Sequence, residues 1–153
     1  PGVASLDILG NTIPNIGGEE KKIETEILKI LGAAETPATF PVFANVNRVP
    51  VDHGHSITMH VRVKEKTSVE SLRELFQAET KKYPGAYKYY TEDFKPQPKF
   101  ALTWNDNLTH IGRIRVSACG HKVSLISMGH NLVRGAAGAA ILNLEAFHQY
   151  LNS

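Results

Sequence analysis

The order and periodicity of apolar residues predict an α+β fold, with helices packed on one face of a mixed, mostly antiparallel sheet. Three observations lead there: a helical stripe at Ile23, Ile27, Ile30 and Leu31, a strict alternation from Ser56 to Val63, and two extended runs folded about Gly120. Taken in order, the first helix follows Gly17-Gly18, and Gly32 is placed to end it. Phe40 to Val51 is rich in β-branched and aromatic residues, but Pro41 and Pro50 reduce it to edge or irregular strand. Ile57, Met59, Val61 and Val63 alternate with Thr58, His60 and Arg62, which describes a strand with one wet face. Thr67 and Glu70 have the spacing of a capping box, and Val69, Leu72, Leu75 and Phe76 form the stripe of a second helix that stops near Pro84. Gly85 to Asn107 carries Tyr87, Tyr89, Tyr90, Pro96 and Pro98 without a steady period, and reads as a long excursion of the kind that serves assembly. From His110 to Ser117, Ile114 and Val116 oppose Arg113 and Arg115, and Gly120 turns the chain into a returning strand through Val123 and Leu125. Asn131 then caps a last helix whose face carries Val133, Ala137, Ile141, Leu144 and Leu151. Gly135 and Gly138 leave the first turns of that helix thin, either for a ligand or another backbone, or for a close helix-to-sheet contact within the domain.

With 153 residues the chain is long enough for one domain with a real core, expected to span 1–153. Hydrophobic residues make up 42% and charged residues 21%, which excludes a disordered tail. The 17 basic residues are interspersed with 15 acidic ones, for a net charge of +2, so no nucleic-acid footprint is expected. No apolar run approaches the ~18 residues of a membrane span. The single cysteine, Cys119, makes neither an internal disulfide nor a thiolate zinc site. No basic segment precedes an apolar one at the amino end, so the expected compartment is the cytoplasm. The chain opens on Pro1 rather than Met, and is expected to be a piece of something longer.

Several residues have the chemistry of a site. Glu19 and Lys22 stand three apart at the start of the first helix, where unpaired backbone N–H groups favour an anion. The same pair is also an ordinary solvated i,i+3 ion pair, worth ~0.2–0.5 kcal/mol. In Asn47 to Ser56, Pro50 and Gly54 break the alternation, so that Arg48 and His55 can converge despite a separation of seven. An arginine fork suits a carboxylate, and a histidine beside it suits proton transfer near neutral pH. A wet turn with a surface histidine is the competing reading. His53 and His55 also have the types of metal ligands, but no third ligand lies nearby in sequence, and no metal is expected. Cys119 beside His121 is not read as a thiol nucleophile, because adjacent turn residues rarely aim their side chains at each other. The histidines at 60, 110, 121, 130 and 148 have no spacing that sets them apart.

Six stretches in order carry a resemblance: Pro1 to Asp7, Asn11 to Pro14, Gly17 to Lys22, Arg48 to Val51 with Gly54 to Ser56, Gly112 to Arg115, and Asn131 to Ala137. Together they resemble the carboxyl-terminal half of aspartate-semialdehyde dehydrogenases, especially the archaeal and fungal branch. That family interconverts aspartate 4-semialdehyde plus phosphate and 4-aspartyl phosphate, with NADP and a cysteine thioester, in aspartate-family amino-acid biosynthesis. The resemblance implies that Arg48 grips the substrate α-carboxylate, Glu19 meets its α-amino group, Lys22 holds phosphate, His55 is the acid/base and Asn131 lies near the nicotinamide.

The resemblance also implies what these residues lack: the family's cysteine nucleophile and Gly-rich nucleotide loop belong to a Rossmann domain absent from this chain. The implied whole is therefore a substrate-binding and dimerisation domain, inactive alone, which forms a homo-oligomer, dimer or tetramer. Its helix over 131–153 is expected to pack on the missing nucleotide-binding domain. Two other readings stay open: a related acyl-phosphate or acyl-thioester reductase domain, and a stand-alone non-catalytic binding domain.

Overall fold

In the computed structural model, which describes residues 5–33 and 35–152, the polypeptide divides into two units, Pro1–Val51 and Asp52–Ser153. Pro1 to Ala4, part of the first stretch of resemblance, lie outside the described residues.

The first unit holds α1 (Ser5–Ile8) and α2 (Glu19–Leu31). α2 runs where its isoleucine stripe predicts. It starts from Gly18 at φ 82°, and its end is closed by Gly32 N–H and Ala38 N–H, both donating to Leu28 O. The stretch from Phe40 to Val51 forms no strand; its one ladder contact is an antiparallel bridge between Ile13 and Arg48. Two carboxylates of α2 take N–H groups that a neighbouring strand would otherwise receive. Glu20 Oε1 accepts from Val46 N at 3.0 Å, and Glu24 Oε1 accepts from Ala44 N at 3.2 Å. Side-chain acceptors thus satisfy an extended segment whose prolines unsuit it to a ladder.

The second unit is built on a four-stranded sheet of β1 (His55–Arg62), β2 (Tyr87–Tyr89), β3 (Thr109–Val116) and β4 (Lys122–Gly129), in the order β1-β4-β3-β2. β1 and β3 flank β4 antiparallel, and β2 joins β3 in parallel. The sheet is therefore mixed and mostly antiparallel, and β3 and β4 form the expected hairpin with Gly120 at φ 77°. A bulge between Gly112 and Arg115, with Arg113 at φ 53°, lets both Ile111 and Ile114 face the same cluster.

That cluster is the larger of two cores. Ile114, Val123 and Leu125 pack with Met59, Val63, Ile111, Val116 and Tyr89 beneath Leu72 and Phe76 of α3 (Val69–Lys82). The cap of α3 differs from the capping box expected at Thr67. Ser68 is the cap, its Oγ accepting from Ser71 N at 3.1 Å, while Thr67 N–H donates to Gly120 O and so is committed to the hairpin turn.

The excursion from Gly85 to Asn107 is more ordered than its sequence indicates. It supplies β2 and the single-turn α4 (Pro98–Ala101). Ala101 and Leu102 pack with Met128 and Ile126, which alternate with Leu125 and lie on the opposite side of the sheet from α3. The α+β fold on a mixed, mostly antiparallel sheet is as expected; α3 lies on one face, and the single turn α4 packs on the other.

After β4 the chain makes a π-turn over Val133–Ala137, continued by α5 (Gly138–Leu151). The expected cap by Asn131 is not formed, because the Asn131 side chain reaches Gly54 instead. The thin start of this helix is explained by packing at Gly138, where a Cβ would sit 2.5 Å from Asn107 Oδ1.

Candidate functional site

The chemistry-bearing residues of the second unit gather where β1 begins and β4 ends. Gly54 stands at φ 88°, and a Cβ there would overlap Leu102 Cδ1 and lie 3.0 Å from Gly129 O, so only glycine fits the turn into β1. Its N–H donates to Asn131 Oδ1 at 2.9 Å, a bond that ties residues 77 apart in sequence. The next residue is His55. Its register partner is Gly129, whose partner on the other side is Thr109. With no side chain between His55 and Thr109 along that row, the sheet leaves a hollow of about 200 Å³. His55, Thr109, His130, Asn131 and Arg134 line it.

Two residues expected from the sequence, His55 and Asn131, thus share one hollow. Asn131 places its carbonyl oxygen on the turn that sets His55, and its Nδ2 makes no hydrogen bond among the described residues. Two further residues were not singled out. Arg134, on the π-turn, lines the hollow. His130 is fully buried, and its Nδ1 faces the N–H groups of Leu132 and Val133 at 3.2 and 3.3 Å. His53 does not turn outward as a metal ligand. Its ring lies 5.2 Å from that of His130 and 4.6 Å from that of Trp104. Among the described residues no group of three His, Cys, Asp or Glu side chains gathers in a way that holds a metal ion.

Glu19, Lys22 and Arg48 belong to the first unit. Glu19 and Lys22 pair with each other at 3.8 Å, with side chains about half exposed. Arg48 is held through its backbone, exchanging hydrogen bonds with Ile13 at 3.0 and 2.9 Å, and its side chain is exposed.

Cys119 and His121 do not form a couple. The Cys119 thiol lies 3.2 Å from Ser117 Oγ, a contact that lowers its pKa, whereas His121 Nδ1 is directed to Val63 O at 3.1 Å. A second buried histidine, His110, stands between Tyr90 Oη, 3.0 Å from its Nδ1, and Asp106 Oδ2, 3.1 Å from its Nε2. The Asp106 contact is an electrostatic one, off the direction of a hydrogen bond. Burial pushes the His110 pKa down, more than Asp106 raises it. Its signal in sequence is faint: a histidine on the inner face of a strand, after an aspartate four residues earlier.

Comparisons with known proteins identify the family and the fold. A family model described as "Semialdehyde dehydrogenase, dimerisation domain" matches residues 1–134. An aspartate-semialdehyde dehydrogenase of Methanothermobacter thermautotrophicus is 34% identical over 166 aligned residues, covering 98% of this chain and 48% of that protein. One from Schizosaccharomyces pombe is 39% identical, covering 95% of this chain and 46% of that protein. The crystal structure of the Candida albicans enzyme with NADP superimposes with a TM-score of 0.76 at 31% identity, over 92% of this chain and 45% of that one. A malonyl CoA reductase (NADP) of Metallosphaera sedula is 30% identical, over 95% of this chain and 45% of that protein. The chain spans about half the length of the curated relatives it matches.

Proposed function

The chain belongs to the semialdehyde dehydrogenase family through its dimerisation domain, and on that footing we propose that it is the substrate-side half of an NADP-dependent aspartate-semialdehyde dehydrogenase. The reaction oxidises aspartate 4-semialdehyde, with phosphate, to 4-aspartyl phosphate, the aldehyde hydrogen leaving as a hydride for which NADP would be the acceptor. The observation that carries this reading is the hollow in which His55 stands beside Asn131, its entry turn fixed by the Gly54–Asn131 bond.

His55 is the acid/base. A thiol adds to the aldehyde, and the hemithioacetal hydroxyl gives its proton to the imidazole as the carbon becomes a thioester; positioned proton transfer of this kind is worth ~10²–10⁴-fold. Arg48 grips the α-carboxylate as a bidentate fork, Glu19 meets the α-amino group, and Lys22 holds the phosphate that displaces the thioester. Cys119 is too remote in role, engaged at the hairpin tip with Ser117, so the nucleophile is assigned to polypeptide outside these residues.

NADP, when bound, takes up the hydride. The residues here fit only one end of it: the chain has no Gly-rich strand-to-helix loop for the phosphates, and a 200 Å³ hollow is smaller than the ~300–1,000 Å³ of pockets for drug-sized ligands. Asn131, with an amide nitrogen open to the hollow, would lie at the nicotinamide end.

A homo-oligomer, dimer or tetramer, is supported by the edge strand β1, where Ile57 and Val61 are 53% and 45% exposed. The exposed Ile141, Leu144 and Phe147 of α5 support packing of that helix on a nucleotide-binding domain. The proposed compartment is the cytoplasm.

The test is an assay of the complete protein that carries this chain. Phosphate-dependent NADP reduction with aspartate semialdehyde is the expected result, with no turnover by residues 1–153 alone. A second reading, reduction of an acyl thioester, is favoured by the malonyl CoA reductase relative. Oxidation of an acyl-CoA-derived semialdehyde without activity on aspartate semialdehyde would replace the first reading by the second.

A further inference from the structure

The start of a helix leaves backbone N–H groups without intrahelical partners, and Asn is among the side chains best suited to accept from them. Here an Asn stands one residue before the cap position, at 131, and does not do so. The acceptor is His130, whose Nδ1 faces the N–H groups of Leu132 and Val133 while its carbonyl oxygen accepts from Gly135 N at 2.9 Å to open the π-turn. Two donors aimed at Nδ1 put the ring proton on Nε2. The ring is enclosed on all sides, with Trp104 at 4.8 Å and His53 at 5.2 Å between centroids, and Nε2 is buried without a hydrogen bond among the described residues. Held there, the imidazole takes the Val133 N–H that a side chain at 131 could otherwise receive.

We propose that His130 is a positioning residue which, by capping the last helix itself, frees Asn131 to bind Gly54 N–H and so fixes His55 in the hollow. The inference rests on the reading of His55 as the acid/base. Without the imidazole acceptor, Asn131 turns back to the helix N–H groups, the Gly54 bond is lost, and the turn entering β1 loosens. Arg134, one turn into the same segment, shifts with it.

The test uses the complete protein and three substitutions. His130→Phe keeps an aromatic ring between His53 and Trp104 but removes the acceptor; His130→Asn restores an acceptor suited to the same two amides. The Phe variant is expected to raise hydrogen exchange at Gly54 and to lower kcat on the order of 10–100-fold with KM changed little, as misplacement by about 1 Å does. His130→Asn is expected to recover both, and adding Asn131→Ala to His130→Phe to raise Gly54 exchange little further. Gly54 exchange that is unchanged in H130F, or raised equally in H130N, overturns the proposal, as does raised exchange with unaltered kcat. Should H130F fail to fold, imidazole ¹⁵N shifts of the unmodified protein decide: a proton on Nδ1 of His130 overturns the assignment. Gly54 exchange reads His130 whether or not aspartate semialdehyde is turned over, so failure of the functional reading is seen separately.

Discussion

An imidazole serves as an acid/base only when its backbone holds still, and His55 meets that condition through its neighbours on both sides. Gly54 is tied to Asn131, and His55 itself is paired to Gly129 in the sheet. Its removal therefore touches chemistry more than fold: His55→Ala in the complete protein is expected to lower kcat by ~10²–10⁴-fold, with the thermal unfolding midpoint nearly unchanged. If Arg48 grips the α-carboxylate as proposed, Arg48→Lys is expected to raise KM for aspartate semialdehyde strongly, because an ammonium is a point charge and cannot reproduce a two-pronged grip; steady-state kinetics on both variants separate these effects. Cys119 provides the control. Exposed, and in contact with Ser117 at a hairpin tip, it has no part in the proposed site, so Cys119→Ser should leave kcat intact and change stability by no more than ~0.5 kcal/mol. A thiol-dependent loss of activity in that variant would put the nucleophile in this chain.

At the scale of elements, the cap of α3 distinguishes sequence pattern from structure. Thr67 and Glu70 have the spacing of a capping box, yet the hydroxyl that meets a helix amide is that of Ser68. Ser68→Ala is expected to cost about 1 kcal/mol, and Thr67→Ala less than ~0.5 kcal/mol, since the Thr67 contribution is a backbone bond to Gly120 O that alanine keeps; urea unfolding of the two variants measures the difference. The reversed order would restore the capping box. Why the sequence points one residue early is instructive. α2, β1, α3 and the hairpin strands are legible because each has its own period over eight to 14 residues, and that period survives whatever packs on it. β2 is three residues long and exists only because β3 accepts it in parallel, and α4 is one turn held by Met128 and Ile126. Neither has enough sequence to show a period. The site divides in the same way. His55 and Asn131 were readable from residue type and resemblance, whereas His130 was not, because its burial depends on Trp104 and His53, which reach it from distant positions. Glu20 and Glu24 were passed over for the neighbouring Glu19, since their partners at Val46 and Ala44 lie more than 19 residues away.

At the scale of the whole molecule, the buried His110 links the stability of the second unit to pH. Its imidazole is fully enclosed, joined to Tyr90 on the excursion and to Asp106 just before β3, so it helps hold residues 86–107 against the sheet. Burial is the largest influence on it and favours the neutral ring; the nearby Lys88 acts in the same direction, and Asp106 opposes both. The folded pKa therefore lies below the ordinary histidine value of 6.5, which the unfolded chain retains. Between the two values the unfolded state binds more protons, so stability increases with pH across that window. The contribution of His110 is complete above 6.5 and is lost as pH falls through the folded value. Denaturant unfolding measured at a series of pH values should accordingly show a midpoint that declines on acidification from neutrality. His110→Gln, which cannot ionise, should be less stable at neutral pH but flatter across the same window, the difference between the two curves isolating this one ring. Asp106→Asn removes the group that holds the proton on, and should deepen the decline and extend it to lower pH, with its upper edge unchanged at the unfolded value. A His110 resonance titrating above 6.5 would mean that the Asp106 contact outweighs burial, and parallel curves for the parent and His110→Gln would mean that the ring has the same pKa folded and unfolded; either overturns this reading.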